Sequence, residues 1–117
     1  MISGVRNSLS ALQAFQTRQN ATADNVANVN TEDYKKTEVT LDGGQNDSVR
    51  VRTEKVDTPG PLVSEETGRG SELVEKSNVE LSEELPESML NKRHFEANVK
   101  MIEQADEMTG ALLDIVS

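Results

Sequence analysis

The apolar residues of the first segment recur at alternating spacings of three and four. Ile2, Val5, Leu9 and Leu12 set a register that Gln16, Gln19, Ala23 and Val26 continue. This predicts one amphipathic helix with a coiled-coil-like seam. Phe15 widens the seam, whereas Gln16 and Gln19 put amides where a two-helix core would want hydrocarbon. Polar groups in a seam weaken packing and fix register. The pattern ends in residues 25–33 (NVANVNTED), whose Asn, Thr and Asp side chains compete for backbone hydrogen bonds. The helix end is expected near Asn28 or Asn30.

A second helix is expected at the other end of the chain. Asn78 and Ser82 are suitable caps, and Glu80, Glu83, Glu84 and Glu87 fall in early turns, where carboxylates favour the positive end of the helix dipole. Pro86 constrains the start. A helix beginning near Leu85 leaves the ring harmlessly in its first turn; one beginning near Val79 loses a hydrogen bond or kinks at Pro86. Beyond it run two apolar stripes, one of Phe95, Val99, Ile102, Leu113 and Val116, the other of Leu90, Ala97, Met101, Ala105, Met108, Leu112 and Ile115. A single partner helix covers one stripe, so the second is an expected intersubunit surface.

Between the helices, residues 34–41 (YKKTEVTL) and 48–56 (SVRVRTEKV) alternate loosely, with the turn signal DGGQND between them. A short hairpin is expected there. Residues 57–70 hold two of the three prolines and three glycines without a sustained period, and read as an exposed loop. A short extended piece, ELVE at 72–75, follows. The expected fold is mainly α: an antiparallel, coiled-coil-like pair of long N- and C-terminal helices joined by a short β-hairpin and irregular middle. The expected divisions are 1–30 for the first helix, 31–78 for the hairpin and loop, and 79–117 for the second helix.

Composition narrows function more by exclusion. One Tyr, two Phe and no Trp leave too few rings for the core of a tight globule. A formal net charge of −9 argues against nucleic-acid and anionic-membrane surfaces, which need clustered Lys and Arg. Without cysteine there is no disulfide framework and no thiolate zinc site. Residues 1–13 lack the apolar run of a secretory signal, and no stretch is long and apolar enough for a bilayer, so any export is expected to take another route without membrane insertion.

His94, the only histidine, sits between Arg93 and Phe95 and reads as structural or surface. The carboxylate runs Glu65–Glu66 and Glu83–Glu84 read as solvated charge. The acidic turn at 42–47 is no calcium loop, because the closing position is Thr53. Asn20–Ala21–Thr22 fits a glycosylation acceptor but falls within the first helix, and is taken as coincidence. No phosphate loop, nucleophile elbow or carboxylate pair is visible, so neither catalysis, cofactor nor metal is expected.

Residues 21–35 (ATADNVANVNTEDYK), preceded by Ser3–Gly4 and Ala11–Leu12–Gln13–Ala14, resemble the N-terminal signature of bacterial flagellar rod, hook and hook-associated proteins, approximately ANNIANVNTPGYK. Asn25, Ala27, Asn28, Asn30, Thr31, Tyr34 and Lys35 occupy motif positions. Residues 77–116 resemble that family's C-terminal signature, through Ser77, Asn78, Val79, Phe95, Ala97, Asn98, Lys100, Asp106, Met108, Leu112 and Leu113. Glu32 and Asp33 stand where the family usually has Pro and Gly; Asp takes a left-handed backbone less easily than Gly. Pro86 lies where the family more often continues a helix.

The resemblance implies a structural subunit of the flagellar basal-body rod, with the termini forming the inner helical tube that transmits torque. It implies partners among other rod subunits and copies of itself, and passage through the flagellar type III export apparatus to the periplasm-spanning rod without a cleaved signal peptide. The gap of about forty residues between the signatures resembles the small proximal-rod members. Alternatives are another axial-family paralogue and, from a different class, a small coiled-coil adaptor or secretion chaperone. The expected assembly interface comprises Val5, Leu9, Leu12, Phe15, Asn25, Val26, Asn28, Asn30, Thr31 and Tyr34 at one end. At the other it comprises Asn78, Phe95, Asn98, Val99, Met101, Ile102, Met108, Leu112, Leu113 and Val116.

Overall fold

The computed structural model describes residues 2–116. Helix α1 spans Ile2–Ala27 and helix α2 spans Leu81–Val116. They run antiparallel: Asn25 meets Glu84, Gln19 meets Ser88 and Phe15 meets His94. Among the described residues no helix is long and apolar enough to cross a membrane.

The middle is more ordered than expected. Strands β1 (Thr37–Gly43) and β2 (Val49–Lys55) form an antiparallel hairpin, register Gly43 to Val49 and Thr37 to Lys55, closed by a 3-10 turn at Gln45–Asp47. Asn46 and Asp47 take positive φ there, a backbone that Asn and Asp tolerate better than other side chains. The buried side of this hairpin lies along α1, where the Ser10 hydroxyl donates to the Val49 carbonyl and accepts from its N–H.

Strands β3 (Leu62–Thr67) and β4 (Gly70–Glu75) form a second antiparallel hairpin. The mainly α expectation is corrected by these elements: strand makes up 23% of the structure in two separate sheets, so the architecture is α plus β. The expected loop at 57–70 holds a whole strand. Its alternation is hard to read in sequence because Val63 pairs with Val74 while Glu65 stands directly across from Glu72, a like-charge pair that strand patterns normally avoid. The Lys76 ammonium binds the Glu65 carboxylate and relieves that repulsion. Gly60, buried where the chain enters this hairpin, has no room for a side chain: an added Cβ would run into the Lys76 carbonyl.

Helix α2 continues through Pro86. Because it starts at Leu81, the proline falls in its second turn, where the exposed ring withholds the backbone donor that would bond the Ser82 carbonyl.

Burial on α1 centres one residue away from the apolar register, because the first hairpin covers this helix as well as α2, while Phe15 and Gln19 reach across to α2. On α1 the deeply buried residues are Ser8, Ala11, Ala14, Thr22 and Asn25, whereas Leu9 is 51% exposed and Gln16 and Ala23 face solvent. On α2 the covered row is Glu84, Ser88, Asn91, Phe95, Asn98, Ile102 and Ala105, again at spacings of four and three. Two polar pairs bridge the helices, Asn25 with Glu84 and Gln19 with Ser88. The larger hydrocarbons are left half-buried or exposed.

The molecule is elongated, 81 × 24 × 18 Å. Helix α2 is ten residues longer than α1, and residues 106–116 are exposed throughout, Leu113 at 66% and Val116 at 84%. Leu62 and Leu73 of the second hairpin are equally bare, at 63% and 71%.

Candidate assembly interface

Two asparagines tie the hairpin root to both helices. Asn25, 2% exposed, donates from Nδ2 to the Thr37 carbonyl (2.9 Å) and to Glu84 Oε1 (3.2 Å). Its Oδ1 accepts from the Thr37 N–H (2.9 Å) and from the Tyr34 hydroxyl (3.1 Å). The amide thus pairs with both backbone groups of one residue, Thr37, as a neighbouring strand would, and fills every hydrogen-bonding position it owns. Asn78 ties the far side: Nδ2 donates to the carbonyls of Val56 (2.8 Å) and Thr58 (2.9 Å), and Oδ1 accepts from the Lys36 N–H (2.6 Å). Its own N–H reaches the Tyr34 carbonyl.

The turn between α1 and this root is fixed locally. Asn28 Nδ2 donates to the Asp24 carbonyl, and its Oδ1 accepts from the Thr31 hydroxyl. Asp33 takes φ +56, the left-handed backbone, and its N–H bonds the Glu75 carbonyl. Asp33 thus takes the left-handed backbone that Gly adopts freely, at the steric cost a Cβ carries there.

Glu84 is the charged group at this junction. The expectation that Glu83–Glu84 is solvated holds for Glu83, which is exposed and pairs with Lys36, and fails for Glu84, which is buried. Burial raises the Glu84 carboxyl above its ordinary range, opposed by the Asn25 hydrogen bond and the Lys36 charge and reinforced by Glu87 and Glu83. Burial likewise pushes the Tyr34 phenol up. At the second hairpin's root, Lys35 and the Gly60 N–H bond the Glu75 carboxylate and lower its pKa. Arg18 and Glu87 add an ion pair across the helices.

The expected interface residues separate into three groups in the structure. Asn25, Asn28, Thr31, Tyr34 and Asn78 use their polar groups within the chain. Val5, Leu12, Phe15, Val26, Phe95, Asn98, Val99 and Ile102 are half-buried, with Phe15 edge-on to His94 at 4.9 Å. Leu9, Asn30, Met101, Met108, Leu112, Leu113 and Val116 are exposed. Sequence reasoning passed over Glu84 and Asn91, although both lie seven residues apart on one face of α2, continued by Asn98. That heptad of polar residues was the available signal. It is easily missed because seams are sought through hydrocarbon. Among the described residues no group of His, Asp or Glu is placed to hold a metal ion.

Two family models match the chain. Residues 6–35 match the flagella basal body rod protein family, and residues 71–115 match the C-terminal region of the flagellar basal body rod FlgEFG proteins. The first covers α1 and its exit turn; the second covers β4, Asn78 and nearly all of α2. The two matches therefore meet at the Asn25–Tyr34–Asn78–Glu84 junction. A comparison with curated proteins gave no match.

Proposed function

The chain belongs to the flagellar basal body rod family, and from that premise we propose that it is a small proximal-rod subunit, of the kind of rod protein C. As a family member it is a structural protein of the flagellar basal body that interacts with other rod components. In the proposed reading the two terminal helices pack against neighbouring copies and other rod subunits to build the axial tube that transmits torque. In this reading the subunit reaches the periplasm-spanning rod through the flagellar type III export apparatus.

The observation that carries this reading is the apolar tail of α2. Met108, Leu112, Leu113, Ile115 and Val116 are each more than half exposed on a stretch of helix that nothing covers among the described residues. A contiguous apolar face of this kind on a charged, water-compatible chain marks a protein–protein surface. The two matched family segments both contribute to the helix pair that displays it.

Leu113→Asp tests the proposal. Because Leu113 is exposed in the single chain, the substitution should leave the chain's own stability within about 0.5 kcal/mol. In a neighbour's interface the same carboxylate would be buried unpaired, and assembly should be lost. In a flagellated host lacking the gene, the variant should be exported yet fail to restore rods and swimming. Full motility with Leu113→Asp, or normal flagella after deletion of the gene, would overturn the reading. Val99→Asp is a less clean test because Val99 is already half-buried within the chain.

A further inference from the structure

Both hairpins leave a strand edge open, and the two edges differ in charge. In the first hairpin the Val56 N–H bonds the Lys36 carbonyl and the Gly44 N–H bonds the Ser48 carbonyl. With the register of β1 and β2 this assigns the ladder bonds to the even-numbered residues, so Val51 and Thr53 turn their N–H and C=O groups away from β1. In the second hairpin the Lys76 N–H bonds the Pro61 carbonyl, which turns Ser71 and Leu73 of β4 away from β3. All four residues are exposed, and among the described residues nothing bonds their outward backbone groups.

Each edge is closed at one end. Ser10 occupies both backbone groups of Val49 on β2, and the Asp33 N–H occupies the Glu75 carbonyl on β4. An antiparallel pairing that sets Val51 against Leu73 and Thr53 against Ser71 joins free groups to free groups, and it ends where Val49 and Glu75 are already engaged. In that register Arg52 falls directly across from Glu72, with Arg50 diagonal to it. Glu72 faces Glu65 within its own hairpin, and unlike Glu65 it makes no ion pair among the described residues. On the opposite side of the sheet Val51 and Leu73, 39% and 71% exposed, cover each other. The same charges disfavour the symmetric alternatives: β2 against β2 brings the arginines together, and β4 against β4 brings Glu72 alongside Glu72.

We infer that β2 of one copy of this chain pairs antiparallel with β4 of a second copy, joining two separate ribbons into one four-stranded sheet in the order β1–β2–β4–β3. Val51 exchanges two backbone hydrogen bonds with Leu73, and Thr53 two with Ser71. A two-stranded ribbon is marginal in water, whereas a sheet of three or more strands is not. The paired edges are different, so every copy keeps one of each free, and the series propagates as an open helix rather than closing as a pair. This contact goes beyond the rod reading, which places the neighbours on the helices, and rests on the strand edges alone.

The chain has no cysteine, which makes a crosslinking test direct. Directly opposite residues of a pair that exchanges no ladder bonds lie about 4.5 Å apart at Cα, within the span of a disulfide. Arg52→Cys and Glu72→Cys variants of the full chain, mixed and mildly oxidised, should give a mixed dimer in about fivefold excess over either homodimer. Replacing Glu72→Cys by Glu65→Cys, on the other strand of that hairpin, should abolish the excess. Thr53→Pro removes an outward N–H and leaves the β1–β2 ladder its bonds, so sedimentation should show self-association weakened about tenfold with the circular dichroism of the dilute chain unchanged. Arg52→Glu and Glu72→Arg should each weaken association alone, and an equimolar mixture of the two should restore it. Two results overturn the inference: no excess of mixed dimer at the highest soluble concentration, or a charge-reversed mixture that associates no better than its components. These measurements use purified protein, so normal flagella after gene deletion would remove the rod reading and leave this contact standing.

Discussion

Asn25 holds three segments at once: α1 that carries it, the Tyr34–Thr37 root of the first hairpin, and α2 through Glu84. Asn25→Ala removes four hydrogen bonds and leaves buried partners unsatisfied, so a loss of about 3–5 kcal/mol is expected in urea unfolding. That exceeds the cost of truncating the exposed Leu9, though hydrophobicity alone would rank them the other way. Glu84 makes a prediction of opposite sign. Its raised pKa means that the fold favours the protonated carboxyl. Its contribution to stability is fully present below the unfolded value and is lost as pH rises through the folded value. Glu75, lowered by Lys35 and the Gly60 N–H, contributes above its unfolded value and loses that as pH falls through its folded one. Glu84→Gln keeps an oxygen to accept from Asn25 and removes the buried charge. The variant should therefore be more stable than the parent at neutral pH, and the difference should shrink as the pH falls towards the glutamate range; equal stability at both pH values would show that the charge is already neutralised. Asn25 was visible in the sequence as part of a turn signature, whereas the burial of Glu84 was not. A carboxylate in an acidic run looks solvated unless the amide that meets it, fifty-nine residues earlier in the chain, is already in place.

At the scale of the elements, the two helices and the first hairpin were legible because each has a local cause: a repeated three-and-four spacing, an Asn-rich stop, a Gly-Gly turn between alternating strands. The second hairpin was not. Its strands carry Glu across from Glu and meet no helix face, so neither burial nor cross-strand pairing leaves a pattern to read. The seam failed for a related reason. Counting hydrocarbon selects the register of Leu9 and Leu12, while burial on α1 centres one residue earlier, on Ser8, Ala11, Ala14, Thr22 and Asn25, because the first hairpin covers that side as well as α2. Apolar periodicity marks a face that the chain leaves half-buried or exposed, and a row of small and polar residues marks the face it buries. Pro86 offers a test at this scale. It sits inside α2 without a donor for the Ser82 carbonyl, and its side chain is exposed. Pro86→Ala should restore that hydrogen bond and stabilise the isolated chain by about 1–2 kcal/mol, read as a higher helix melting temperature by circular dichroism. An unchanged or lower value would mean that the ring's fixed φ contributes more at the helix start than the missing bond costs.

For the whole molecule, two quantities set expectations. A compact domain of this length has a radius of gyration of about 13 Å, against 20.9 Å here. Its accessible surface would be about 6,300 Å², against 8416 Å². The excess of about 2,000 Å² is comparable to what a stable protein–protein interface buries, and much of it lies on the bare α2 tail and the second hairpin. A two-stranded ribbon alone is marginal in water, and a helix end without a partner face frays. The isolated chain should therefore unfold over a broad range in dilute solution and sharpen, with a rising midpoint, as concentration increases, because association stabilises only the folded form. Native-state hydrogen exchange should show the order in which the structure opens: residues 108–116 and β3–β4 first, the Asn25–Asn78 junction last. A sharp, concentration-independent transition in a monomer, with the α2 tail as protected as the junction, would mean that the chain is complete without neighbours. The exposed stripe would then be a surface without a partner, and the rod assignment would have to rest on some other face.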